Sequence, residues 1–169
     1  MALDPLALAE KARSVTLLVL DCDGVLTDGR LYYGVSGEEL KVFDVRDGLG
    51  LVRWHSVGGI TAIISGRNSP IVKTRFEPLG VSRILQGNED KEPLFSRLVE
   101  DLDLSWEQVA YMGDDLPDLA PMRLAGLSAA PKDARPEVLE KADYVANVGG
   151  GRGAVRELIE LLLASRDAT

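Results

Sequence analysis

The chain has 169 residues, 46% of them hydrophobic, enough to build a full core for one domain without disulfides or a structural metal. A formal net charge of −8 leaves no basic excess to neutralise phosphates, which excludes nucleic acid and anionic membrane surfaces as general partners. The single cysteine, Cys22, excludes an intrachain disulfide and a multi-cysteine zinc site, and no run approaches the roughly 20 apolar residues of a membrane span, so a reducing, cytoplasmic setting is expected.

In chain order, residues 1–15 carry acids early and lack a long apolar core, which predicts a short amphipathic helix rather than a signal peptide. "VTLLVL" (15–20) is apolar throughout, as a parallel strand buried on both faces should be. It runs straight into "DCDG", so two carboxylates, Asp21 and Asp23, stand at the end of a buried strand. Burying ionised acids side by side is costly, and a positive partner is therefore expected there. The next segment, "GRLYYGVSGEELKVFDVRDG", has β-favouring residues at 31–33 and 40–45 around a turn rich in glycine and serine, predicting a hairpin that projects from the end of the first strand. Isolated hairpins are marginal in water, so Leu31, Tyr32, Tyr33, Val42 and Phe43 need cover, from a second copy of the chain or from the hairpin's own domain.

Beyond it the pattern alternates. Strands are expected at 59–64, 81–85, 108–112 and near 127–129 and 143–145, with helical stretches at 47–58, 69–80, 91–104, 114–126 and about 153–164, several ending at a glycine. "PEVLEK" (136–141) reads as a solvated helix face, and His55, beside Trp54 and away from the strand ends, as a structural residue. Strand and helix in alternation predict an open α/β sheet of six strands in a single domain over residues 1–169.

Ligands of such sheets bind beyond the carboxyl ends of the strands. Those ends carry Asp21, Cys22 and Asp23, then Ser65, Gly66 and Arg67, then residues 86–91 with Lys91, then Gly113, Asp114 and Asp115, with Asp118 one turn on. Asp21, Asp23, Asp114 and Asp115 form a set of hard oxygen ligands suited to Mg²⁺, with Asp118 either supporting them or simply occupying the first turn of its helix. Ser65 offers a hydroxyl, and Lys91 a point charge, to a phosphoryl group. The set describes phosphomonoester hydrolysis, with Asp21 as nucleophile through an aspartyl-phosphate and Asp23 as general acid and then base. Gly24 and Gly66 allow the backbone to approach the phosphate. Arg67 is placed to clamp a substrate carboxylate, and Lys41, Asp47 and Gly66 complete the candidate substrate-binding set; "GGGRG" (149–153), with Arg152, reads as a loop that starts a helix.

"DCDGVLTDG", "ISGRNS", "GNEDK" and "GDDLPDL" resemble, in order and spacing, the four motifs of the haloacid dehalogenase superfamily phosphatases. With "VRDGLGL" and "GGRGAVREL" the resemblance narrows to the capless family acting on 3-deoxy-D-manno-octulosonate 8-phosphate, across nearly the whole chain. It implies a Rossmann-like domain without a cap, Mg²⁺ dependence, and a homotetramer in which a hairpin and neighbouring subunits enclose the site. It also implies a place in lipopolysaccharide precursor synthesis. Asp23 would bind the ion through its backbone carbonyl, and Asp114 would be the further ligand, supported by Asp115 and Asp118. Cys22 stands where an aliphatic residue is usual, and its thiolate is disfavoured between two acids. Two other readings stand beside this one: a phosphatase of a nine-carbon, sialic-type sugar acid phosphate, and a receiver-like signalling module. Asp23 argues against the module, because an acid/base two residues beyond the phosphorylated aspartate suits turnover rather than storage.

Overall fold

The computed structural model describes residues 4–167. Helix α1 (Pro5–Ser14) is capped by Asp4, whose side chain accepts hydrogen bonds from the Leu6 and Ala7 amides. The expected helix at 1–15 is thus present from Pro5, and residues 1–3 lie outside the described region. Strand β1 (Leu17–Leu20) follows, then the hairpin β2 (Tyr32–Gly34) and β3 (Gly37–Leu40), then α2 (Val45–Ser56) and β4 (Ile60–Ser65). After these come α3 (Pro70–Phe76), β5 (Arg83–Gln86), α4 (Lys91–Asp101) and β6 (Val109–Met112). The chain ends with α5 (Leu119–Leu124), β7 (Leu127–Ala130), α6 (Pro136–Leu139), β8 (Tyr144–Val145) and α7 (Ala154–Asp167).

Six strands form one parallel sheet in the order β5-β4-β1-β6-β7-β8, the Rossmann-like arrangement expected. β1 lies near the middle and is fully buried because its period-two side chains feed two cores. Leu18 and Leu20 pack with Trp54, Phe76, Leu158 and Ile159 on the face covered by α1, α2, α3 and α7. Leu17 and Val19 pack with Phe95, Leu98, Met122 and Val138 on the opposite face, beneath α4, α5 and α6. Each of these large apolar side chains contributes roughly 1.5–3 kcal/mol by leaving water, so four in a row hold β1 firmly.

Three expectations are corrected in detail. The second hairpin strand lies at Gly37–Leu40 rather than 40–45, because the tight turn after Gly34 lets pairing begin at once, with Gly34 opposite Gly37. The helix expected over 69–80 stops at Phe76 and tightens to a 3-10 turn at Glu77–Leu79, where Pro78 has no amide to offer the carbonyl of Thr74. The stretch at 114–126 is a 3-10 turn, Leu116–Asp118, that passes into the short α5. His55 is structural as expected: its ring nitrogens meet the Leu79 carbonyl and Thr61 Oγ1, both at 2.9 Å.

Candidate active site

The carboxyl ends of β1, β4 and β6 and the start of α4 open into a cleft of about 370 Å³ lined by Asp21, Asp23, Ser65, Arg67, Lys91 and Asp114, among others. Asp21 is fixed first through its backbone. Its amide donates to the Met112 carbonyl at 3.0 Å, so the β1–β6 ladder extends one residue into the site. Its carboxylate Oδ1 accepts from Lys91 Nζ at 2.7 Å, and the same ammonium donates to Asp118 Oδ1 at 2.7 Å. Lys91 is 5% exposed; burial alone would lower its pKa, but Asp21 and Asp118 outweigh that and raise it, so it stays an ammonium. It is the positive partner expected for Asp21, whereas Asp23 is met by Lys41.

One ammonium is not enough. One carboxylate oxygen each of Asp21, Asp114 and Asp118 lie within 4.8 Å of one another. Burial, then Asp118, pushes Asp21 up to about 6 despite Lys91. Burial, then Asp21 and Asp118, pushes Asp114 up to about 8. Asp114 Oδ1 is buried with no hydrogen-bond partner among the described residues. Asp118 differs: Oδ1 accepts from Lys91 and from Tyr111 Oη (2.8 Å), and Oδ2 accepts from the Asp114 and Asp115 amides (3.0 and 3.2 Å). With these four acceptances its lone pairs are taken, so it organises the loop rather than offering a ligand. A divalent cation bound by hard oxygens fits what remains: two close, under-neutralised carboxylates, one with an orphaned buried oxygen.

The other expected residues divide. Ser65 is buried at the end of β4 and its Oγ accepts from the Arg67 amide at 3.3 Å. Arg67 lines the cleft, donates to Tyr33 Oη at 2.6 Å and lies 3.7 Å from Asp23 Oδ2. A side-chain carbon at Gly66 would meet only ordinary contacts with Glu89, so the protein itself does not demand glycine there. Gly24 is needed: its φ is +102° and a side chain would overlap the Asp114 carboxylate. Asp115 lines the cleft, and its Oδ1 accepts from the Leu116 amide at 2.7 Å and caps the 3-10 turn. Lys41, expected at the substrate, is buried against Asp23 and Glu38, an ammonium held between two carboxylates. Asp47 is away from the cleft: its carboxylate accepts from the Arg156 amide at 2.8 Å, at the first turn of α7, and burial pushes its pKa up to about 6. Arg152 lies in the turn before α7, and its carbonyl accepts from Arg46. Cys22 is buried, and burial, then Asp23 and Asp21, pushes its thiol pKa well up, which keeps it inert. Sequence reasoning missed Glu38 and Tyr111. Glu38 carries a faint signal in its position three residues before Lys41, whereas Tyr111 is indistinguishable from core in an apolar strand.

A strand-borne aspartate pair, a serine, a buried lysine and a second acidic loop on a Rossmann-like sheet define the class, and residues 54–157 match the family of haloacid dehalogenase-like hydrolases. The chain belongs to that family. Among curated relatives it is 48% identical, over 157 residues, to the 3-deoxy-D-manno-octulosonate 8-phosphate phosphatase KdsC of Escherichia coli K12, covering 92% of this chain and 83% of the relative. The crystal structure of the phosphatase of that name from Yersinia pestis superposes with a TM-score of 0.93 at 43% identity, covering 95% of this chain and 87% of that one. The counterpart from Moraxella catarrhalis, solved with a magnesium ion, a phosphate ion and a KDO molecule, has a TM-score of 0.94 at 39% identity and covers 97% and 94% of the two chains.

Proposed function

We propose that this chain is a Mg²⁺-dependent phosphatase. It hydrolyses 3-deoxy-D-manno-octulosonate 8-phosphate to the free sugar acid and phosphate, in lipopolysaccharide precursor synthesis, as one domain over residues 1–169. The observation that carries the reading is the under-neutralised acid cluster at the end of β1, in a chain 48% identical to a phosphatase of that name. Asp21 and Asp114, with the Asp23 backbone carbonyl, would hold the ion. When bound, Mg²⁺ offsets the charge of the acids and the phosphoryl oxygens, so that an anionic nucleophile can approach an anionic ester.

The chain's own residues carry the steps. Asp21 attacks phosphorus as the bond to the ester oxygen breaks, and that oxygen takes a proton from Asp23 Oδ2, which makes no hydrogen bond among the described residues. Asp23, now a carboxylate, deprotonates a water that attacks the aspartyl-phosphate, releasing phosphate and restoring Asp21. Lys91 stabilises Asp21 as a carboxylate and, with Ser65, supports the phosphoryl oxygens. Arg67 lines the cleft and its Nε makes no hydrogen bond among the described residues, which suits a substrate carboxylate, with Gly66 beside it. Assembly as a homotetramer in the cytoplasm belongs to the same reading. It is supported by the exposed hairpin side chains Leu31, Tyr33, Val35 and Leu40, and light scattering tests the assembly.

The deciding experiment is phosphate release with Mg²⁺ from the eight-carbon and nine-carbon 3-deoxy sugar acid phosphates, with Asp21→Asn as control. Preference for the eight-carbon ester, abolished in the variant, is expected. Better turnover of the nine-carbon ester would keep the mechanism and replace the substrate, and no release from either would overturn the reading.

A further inference from the structure

The hairpin reaches the catalytic acid through a buried tie. Lys41 directly follows β3, and its side chain is 1% exposed. Its Nζ lies 2.5 Å from Asp23 Oδ1 and 3.1 Å from Oε1 of Glu38, three residues back on β3. The two oxygens of Asp23 are therefore unlike. Oδ1 is held by the ammonium, whereas Oδ2 is buried with no hydrogen-bond partner among the described residues. Its neighbour at 3.7 Å, Arg67 Nε, is also without one. Asp23 and Arg67 both line the cleft, whereas Lys41 and Glu38 stand behind them.

We propose that Lys41 is a positioning residue for the acid/base, itself fixed by Glu38, so that the hairpin presents Asp23 Oδ2 and not Oδ1 to the leaving-group oxygen. The inference rests on the phosphatase reading above. A carboxylate held at one oxygen loses the freedom to rotate and exchange its two oxygens, and the ordering cost is met before substrate arrives. Without the tie, Asp23 meets the leaving-group oxygen in a spread of orientations. The loss falls on the step in which the ester bond breaks, and it grows with the basicity of the oxygen that leaves: phenoxide depends on that proton more than 4-nitrophenoxide does. A residue that merely bound the sugar, or merely supported the fold, would show no such dependence.

The test measures kcat/KM with Mg²⁺ for a series of aryl phosphates from 4-nitrophenyl to phenyl, which carry no sugar contacts, in the native chain, Lys41→Met and Glu38→Gln. In Lys41→Met the phenyl ester is expected to fall about tenfold or more beyond the 4-nitrophenyl ester, with a smaller shift of the same sign in Glu38→Gln. A parallel fall across the series would overturn the proposal and leave Lys41 a structural role. A raised KM for the sugar acid phosphate, with kcat and the aryl series unchanged, would overturn it in favour of substrate binding. Should circular dichroism show Lys41→Met unfolded, Glu38→Gln decides alone by the same comparison. Failure of the phosphatase reading is distinct, because the native chain would then release no phosphate from the sugar acid ester.

Discussion

Replacing Lys91 by methionine removes the ammonium that lies 2.7 Å from both Asp21 and Asp118, in a site where that lysine is 5% exposed. Methionine nearly preserves the shape, so the perturbation is one of charge. Taking one partner from a buried ion pair costs about 3–5 kcal/mol when the remaining charge cannot escape. Here it can escape in part, because burial and the neighbouring acids already push Asp21 up to about 6 and Asp114 up to about 8. Lys91 acts to lower both values, so its loss raises them further above the ordinary 3.8. A carboxyl whose pKa is raised by folding contributes stability that is present at low pH and lost as pH rises through the folded value. The deficit of Lys91→Met relative to the native chain is therefore small near about pH 5 and approaches about 3–5 kcal/mol near about pH 8. Urea unfolding in the presence of a chelator, at both pH values, measures it as a shift in midpoint with an unchanged slope. Saturating Mg²⁺ narrows it by supplying the missing positive charge, while turnover stays down by roughly 10²–10³-fold because a donor to the developing phosphoryl charge is gone. A deficit equal at the two pH values, or below about 1 kcal/mol at the higher one, would refute the account of Lys91 as the neutraliser of this cluster.

Asp47→Asn keeps an acceptor for the Arg156 amide but removes an acid that folding raises to about 6. The native chain loses up to about 3 kcal/mol relative to this variant between about pH 4 and pH 7, read as the difference between their two urea-stability profiles, and parallel profiles would contradict it. Gly150→Ala sets a side chain on the Gly24 carbonyl, backbone that cannot turn aside, so thermal unfolding should reveal a loss of about 1–3 kcal/mol together with reduced phosphate release. Mg²⁺ at about a hundred times its Kd should stabilise the native chain by about 2.7 kcal/mol in differential scanning fluorimetry, and Asp114→Asn should lose most of that gain.

Much of the site was legible in the sequence for reasons that particular residues make plain. Asp21 and Asp23 stand out because carboxylates at the end of an unbroken apolar strand need a physical excuse, and "GDDLPDL" repeats the anomaly after β6. Ser65 and Lys91 were reachable because parallel strands all point their carboxyl ends to one edge. Asp115 and Lys41 have partners that the sequence does not show, for a common reason. An acid or a base in a loop has several partners within reach, and the choice for the Leu116 amide in one case, and for Asp23 and Glu38 in the other, is made by three-dimensional distance. Asp47 was drawn to the site by its nearness to the hairpin in sequence, yet it caps a helix that starts more than a hundred residues later.

The sequence by itself determined the alternation of strand and helix, the burial of β1 and the placing of Asp21 and Asp23 at its carboxyl end, because periodicity and local charge are properties of neighbouring residues. Only the tertiary structure decided which acids face a cation, which are saturated by hydrogen bonds and which oxygen of Asp23 is free. Those outcomes depend on Lys91, Tyr111, Glu38 and Lys41 arriving from separate segments within about 3 Å, the distance at which a hydrogen bond takes one lone pair and leaves another open.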